Sequence, residues 1–259
     1  MKPILTTVDA GVGTIKLNRP QAYNSVNKSL TLALQQELDR LAEDPSVRAI
    51  VITGEGKAFC AGQDLVEVTS PELNPGFESI LNEHYAPIIT RLRKIPKPII
   101  AAVNGVAAGA GANIALACDI VIAKETASFI QAFSAIGLIP DSGGTYFLPR
   151  LIGFQKALAI AMLGDKVTAP EAVQMGMIYK YFPDNTFDEE VLALANKLAK
   201  MPTKGLALTK QAFNSALTGS LEDQLAVENK LQLEAAATED YQEGVDAFLN
   251  KRKPEFKGK

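Results

Sequence analysis

Pro98-Ile-Ile-Ala-Ala-Val-Asn-Gly-Val-Ala-Ala-Gly-Ala-Gly-Ala-Asn-Ile-Ala-Leu-Ala-Cys118 is the stretch on which the fold turns. It carries no charged residue over a length sufficient to cross a bilayer. Yet it opens on a proline, holds the amides Asn104 and Asn113, and is broken by Gly105, Gly109 and Gly111. A lipid-facing helix seldom tolerates that combination. The reading that accommodates every residue is a strand at Ile99–Val103 buried on both faces, a glycine-bearing turn, and a helix of small residues from about Gly109 to Ala117. A strand apolar on both faces needs covering elements on both sides, which predicts an α/β architecture.

The neighbouring segments repeat the theme. Ile4–Val8 and Val12–Leu17 flank Asp9-Ala10-Gly11, a hairpin signal. Asn27–Ala42 places Leu30, Leu34, Leu38 and Leu41 at helical spacing, with Asn27 as the N-cap. Ala49–Thr53 reads as a second buried strand. Asp64 to about Gly76 reads as a mobile loop beside a site, because Pro71, Asn74 and Pro75 interrupt it. A helix over Phe77–Arg93 and strands at Asp119–Ala123 and Ser128–Ile130 continue the alternation. Beyond about Asn185 the strand signals stop, and helices are expected at Asp188–Ala199, Pro202–Leu217, Leu221–Ala237 and Asp240–Lys251. The expected organisation is a core over residues 1–185 and a helical region over 186–259 that caps the core or packs against another subunit.

Composition narrows the functions. Lys plus Arg is 26 against 29 for Asp plus Glu, a net charge of −3 with no basic cluster, which excludes a nucleic-acid surface. The first residues, with Asp9 and early glycines, do not form a secretory leader, so a soluble, cytoplasmic protein is expected. Cys60 and Cys118 form no metal-binding pattern, and the single histidine, His84, excludes a His-rich metal site and points to a surface or packing role on its helix. The two cysteines are expected to act as small buried hydrophobes, and Asp119 as a structural residue at a strand start.

Two glycine-bearing turns follow buried strands: Gly54–Leu65 and Asn104–Asn113. Small residues let a ligand approach the backbone, and helix N-termini offer free N–H donors, so the two turns together could give one oxygen a pair of donors. Tight strand-to-helix packing explains the same glycines equally well. Neither turn completes a dinucleotide or Gly-Lys-Ser/Thr phosphate fingerprint, which speaks against NAD and ATP.

Leu17-Asn-Arg-Pro20, Gly56-Lys-Ala-Phe-Cys-Ala-Gly-Gln-Asp64, Pro98–Gly105, Cys118-Asp-Ile120, Ile139-Pro-Asp-Ser-Gly-Gly-Thr145 and Ala247–Phe256 together resemble the crotonase, or enoyl-CoA hydratase/isomerase, superfamily along essentially the whole chain. The resemblance implies a spiral of ββα turns with a C-terminal helical region, a homo-oligomer (trimer or hexamer), and a coenzyme A thioester as substrate, with no metal or redox cofactor. It implies further that the amides of Ala61 and Ala110 hold the thioester oxygen. Ala22, Gly62, Gln63, Asp64 and Asn113 are expected to line the substrate site. Phe248 and Lys251 match tail positions that reach the coenzyme, often of a neighbouring subunit, and Lys57 is read as touching its nucleotide end or simply as solvated.

The departures from the family pattern direct the choice of reaction. The two glutamates with which hydratases of this family hold and split water align here with Asn113 and Phe133. Asparagine takes no proton at neutral pH, and phenylalanine holds no water. One carboxylate, Asp141, stands where several isomerases of the superfamily place a catalytic aspartate. The uncharged run Ala127–Pro140 before it predicts an apolar wall and a raised pKa. The alternative is an aspartate that caps the Ser142-Gly143-Gly144 turn. The resulting expectation is an acyl-CoA isomerase working through a thioester enolate. Its substrate would be a 3-enoyl-CoA moved to the 2-enoyl form, or the ring epoxide of 1,2-epoxyphenylacetyl-CoA opened to an oxepin. An enoyl-CoA hydratase and a non-catalytic acyl-CoA-binding subunit are the rival readings.

Overall fold

The structure, a computed structural model, describes residues 2–259. Two sheets form its core. The larger has six strands in the order β1 (Ile4–Asp9), β2 (Val12–Leu17), β3 (Ala49–Gly54), β5 (Ile99–Val103), β7 (Ile120–Lys124) and β10 (Lys180–Phe182). The first pair is antiparallel, as the Asp9–Gly11 turn predicts, and every later pair is parallel. All five residues of β5 are buried, the pattern required of a strand covered on both faces.

The smaller sheet is built from three-residue strands in the order β4 (Ala58–Cys60), β6 (Val106–Ala108), β8 (Ser128–Ile130) and β9 (Lys166–Thr168). Successive strands of the large sheet therefore step sideways into short strands of the small one: β3 into β4, β5 into β6, β7 into β8. Helices then return the chain. The result is the α/β spiral of ββα turns expected, with a helical C-terminal region.

One side of the large sheet is covered by α1 (Lys28–Glu43), which buries Leu30, Leu34, Leu38 and Leu41. Each such leucine contributes on the order of 1.5–3 kcal/mol. The Asn27 side chain caps this helix by accepting the Leu30 N–H at 3.0 Å. On the other side, α9 (Phe187–Ala199) sets Phe187, Ala195 and Ala199 against Val12, Val51, Ile100 and Ile122. The remaining C-terminal helices are α10 (Thr203–Ala216), α11 (Leu221–Ala236) and α12 (Glu239–Leu249).

Three segments differ from their sequence reading. The stretch after Asp64 is not all loop, because α2 (Leu65–Thr69) opens it, with the Asp64 side chain accepting the Val66 N–H at 3.0 Å. The helix expected over Phe77–Arg93 is three pieces: α3 (Phe77–Ser79), a π-helical turn (Ile80–Tyr85) and α4 (Ala86–Lys94). Between Gly144 and Gln174, α6 (Gly144–Ile152), α7 (Phe154–Leu163) and α8 (Ala169–Gln174) fill a region the sequence reading left unassigned. Among the described residues no helix is long and apolar enough to cross a membrane. The Pro98–Cys118 run is instead β5, β6 and α5 (Ala110–Leu116).

Candidate active site

The two glycine-bearing turns meet at the edge of the small sheet. Gly62 has φ +89°, and a Cβ on it would lie 2.9 Å from the Ala108 carbonyl oxygen and 3.7 Å from the Ala110 nitrogen. Only glycine lets these two backbones approach so closely. Gly111 has the packing role anticipated as the alternative, since a Cβ there would strike Cys60. Both explanations of the glycines therefore hold, at different positions.

Beside the junction lies a cavity of about 280 Å³. Ala61, Gly62, Gln63, Gly109, Ala110 and Asp141 all border it, and Phe77, Ile80, Phe133, Ile136 and Leu138 supply an apolar wall. The expected donors fare differently. Ala110 begins α5, and its N–H donates to no protein acceptor, so it is free to face a ligand. The Ala61 N–H is not free: it donates to the Tyr23 carbonyl at 3.0 Å. That corrects the assignment of Ala61 as a donor, because one N–H cannot serve both partners. Two residues on, the Gln63 N–H donates to no protein group, although its neighbours are pinned: the Val26 N–H donates to the Gly62 carbonyl at 2.7 Å, and the Asp64 N–H to the Val26 carbonyl at 2.8 Å. Gln63 and Ala110, one on each turn, thus border the cavity with N–H groups that donate to no acceptor among the described residues.

Asp141 stands across the cavity in an apolar setting. Its Oδ1 is buried without a partner. Burial pushes its carboxyl above the usual carboxylate range, with the adjacent Ser142 hydroxyl acting in the opposite direction. The turn is not held by the carboxylate's Oδ1 as a cap; the Asp141 carbonyl accepts the Gly144 N–H at 2.8 Å instead. Ser142 is held in the left-handed region at φ +49°, a conformation that costs a non-glycine residue energy and collects at functional sites.

Other expected site residues lie elsewhere. Asn113 is fully buried, lies outside the cavity lining, and spends its side chain on the Asp141 carbonyl and on Gln131, so it shapes the site from behind. The Asp64 carboxylate accepts from Arg19 at 2.7 Å as well as capping α2, which makes it structural. Ala22 ends a single 3-10 turn, Pro20–Ala22, outside the cavity lining. Phe248, 83% exposed at the end of α12, and exposed Lys251 do not border the cavity of their own chain. Asp119 is structural, as expected, accepting from Arg93, Lys210 and the Ile99 N–H. His84 is buried, not at the surface, and its Nε2 has no partner.

Tyr85 is the site residue that sequence reasoning missed. It is 2% exposed, borders the cavity, and donates its hydroxyl to Gln63 Oε1. Burial raises its pKa, and the negative charges of Asp141 and Glu67 add to that, so the hydroxyl stays a donor.

Comparison with known proteins follows the same direction. Residues 7–259 match the family model described as enoyl-CoA hydratase/isomerase. The chain is 47% identical to a 1,2-epoxyphenylacetyl-CoA isomerase of Escherichia coli K12, with all of both chains covered. It is 39% identical to a 2,3-dehydroadipyl-CoA hydratase of the same organism, again with both chains fully covered. Among solved structures, the enoyl-CoA hydratase from Bacillus anthracis superposes with a TM-score of 0.91 at 33% identity, covering 99% of this chain and 100% of that one.

Proposed function

Because this chain belongs to the enoyl-CoA hydratase/isomerase family, we propose that it is an acyl-CoA isomerase that works through a thioester enolate. The thioester carbonyl oxygen sits between the amides of Gln63 and Ala110. Asp141 removes a proton from the carbon next to the carbonyl, the electron pair moves onto that oxygen, and the two N–H groups stabilise the charge. Asp141 then returns the proton to a different carbon of the same acyl group. For a 3-enoyl thioester the proton leaves C2 and arrives at C4, and the double bond moves from C3–C4 to C2–C3. No electrons leave the substrate, so the step as written needs no redox cofactor. A pair of preorganised donors in an apolar cavity is worth several kcal/mol in the transition state, and removing one typically costs about 10²–10³ in rate.

The observation that carries this reading is Asp141, a half-buried carboxylate whose Oδ1 is buried without a partner, on a cavity whose other wall is Phe133. The Phe133 ring comes within 3.8 Å of where a Cβ on Gly109 would stand, so it fills the space over the start of α5 with carbon. A phenylalanine ring offers no hydrogen bond to a water there, which supports isomerisation over addition of water to a double bond. The second reading, an enoyl-CoA hydratase, is favoured by the names of several relatives. The two separate in one comparison: purified protein converts a 3-enoyl-CoA to the 2-enoyl form clearly faster than it hydrates crotonyl-CoA, and the reverse order removes the isomerase assignment. The ring epoxide of phenylacetyl-CoA is the specific substrate to assay alongside, given the 47% identity.

The assembly belongs to the same proposal. Ile139, Phe154, Met162 and Leu163 are each more than 60% exposed on one side of the molecule, and Phe248 stands free at the end of α12. A homo-oligomer, trimer or hexamer, would cover the first group and bring Phe248 and Lys251 to a neighbouring subunit's substrate.

A further inference from the structure

The side chain of Gln63 is held at both ends. Its Oε1 accepts the Tyr85 hydroxyl, and its Nε2 donates to Glu67 Oε2 at 3.3 Å. Glu67, itself buried, uses its other oxygen to accept the Lys28 N–H at 2.9 Å, at the start of α1. From this arrangement we propose that Tyr85 and Glu67 are positioning residues for thioester activation: they fix the Gln63 side chain and thereby aim the Gln63 N–H at the thioester oxygen. The inference rests on the enolate reading above.

The need for such a brace follows from the chain around it. Gln63 comes directly after Gly62, which takes up its φ of +89° with no side chain to restrict it. The backbone on either side is tied to Val26, but the Gln63 N–H itself has no protein partner and must keep its direction without one. A donor 1 Å out of place can cost about 10² in rate. A side chain clamped at both ends removes the remaining freedom.

Tyr85 reaches Gln63 because of the π-helical turn Ile80–Tyr85. Such turns are rare and frequent at functional sites. The turn buries Ile80, His84 and Tyr85 together, and it sets the Tyr85 hydroxyl on the cavity wall beside Gln63. If Tyr85 were only a core tyrosine with its hydroxyl satisfied, its loss would lower stability and leave the chemistry of the folded protein alone.

The test uses Tyr85→Phe, Glu67→Gln and Gln63→Met in the full chain. Glu67→Gln is nearly isosteric and places an amide hydrogen against a donor, so it disrupts the clamp from the opposite end. Three quantities are read for each: melting temperature, kcat and KM for a 3-enoyl-CoA, and the infrared carbonyl stretch of bound butanoyl-CoA labelled with carbon-13 at the thioester carbon. Tyr85→Phe and Glu67→Gln are expected to lower kcat by about 10–10²-fold with KM changed less than threefold. Both should move the bound carbonyl stretch back towards its value in solution. The double variant Tyr85→Phe with Gln63→Met should be no worse in kcat than Gln63→Met alone, since the clamp is then already lost. A wild-type stretch and near-normal kcat in the folded variants overturn the inference, and if Tyr85→Phe does not fold, Glu67→Gln alone decides. If the wild-type protein itself fails to shift the carbonyl stretch on binding, the enolate reading fails; if the wild type and the variants shift it alike, that reading stands and this inference does not.

Discussion

The side-chain amide of Asn113 donates to the main-chain carbonyl of Asp141 at 2.8 Å, while its own oxygen accepts from Gln131 Nε2 at 2.8 Å. A residue on α5 is thus fastened to the turn that presents Asp141. The fit is close enough that a Cβ on Gly144 would collide with the Asn113 amide. Only a donor can hold a carbonyl, so an ionised glutamate or aspartate at position 113 would repel the group that asparagine fixes.

Asn113→Ala should therefore damage both stability and rate. It leaves Gln131 Nε2 buried without its partner and releases the Asp141 turn, a loss of about 1–3 kcal/mol by the usual cost of an unmade buried hydrogen bond. Turnover should fall at least tenfold, with thioester affinity little changed, because Asn113 does not border the cavity. Denaturant unfolding and steady-state kinetics on the same preparation check both. Unchanged turnover would mean that the Asp141 turn keeps its shape unaided.

Gly62 and Gly76 both have strongly positive φ, +89° and +84°, but only Gly62 is enclosed. Nothing lies within 4 Å of where a Cβ on Gly76 would stand. Gly76→Ala should cost about 1 kcal/mol of backbone strain and leave activity intact. Gly62→Ala should cost more in stability and, by forcing the two turns apart, lower kcat by about 10²-fold. Equal kinetics for the two variants would detach the junction from catalysis.

The pH dependence has a definite sign. Asp141 must be ionised to accept a proton, and burial raises its pKa above the usual 3.8. Activity should therefore fall on acidification with a midpoint above the ordinary carboxylate value. The stability contribution runs oppositely. A raised folded-state pKa means the folded protein binds the proton more tightly, so Asp141 costs stability as pH rises from the unfolded to the folded pKa. Asp141→Asn should accordingly melt no lower than wild type at neutral pH, and its relative advantage should disappear below the unfolded pKa. Melting curves across this range check it; a neutral-pH loss of stability in Asp141→Asn would contradict the burial cost.

How far the fold was legible depended on element length. β5 and α1 carry enough apolar residues for their pattern to be read. The small sheet does not, since Ala58–Cys60, Val106–Ala108 and Lys166–Thr168 are three residues each and have no measurable periodicity. At the site, Asp141, Gly62 and Ala110 were legible because their motifs are local. The Ala61 N–H was not, because its fate depends on a carbonyl of Tyr23, delivered by a distant turn in which Tyr23 itself is left-handed at φ +50°. The spacing of Asp64 and Glu67 ahead of Val68 was a helix-start signal that would have placed Asp64 as a cap. The sequence does not announce the π-helical turn that brings Tyr85 in, because the buried residues Ile80, His84 and Ile88 fall at the four-residue spacing that an ordinary helix also gives.

The most direct test of the account is the turnover of Asp141→Asn, measured on folded protein together with its affinity for a thioester ligand. Asparagine keeps the volume and the main-chain hydrogen bonds of the turn and removes only the base. A fall in isomerisation of about 10²–10⁴ is expected, the usual share of general acid–base catalysis, at nearly unchanged affinity, because the proposed donors to the thioester are the Gln63 and Ala110 amides. Near-normal turnover in that variant would contradict it and assign the proton to another group.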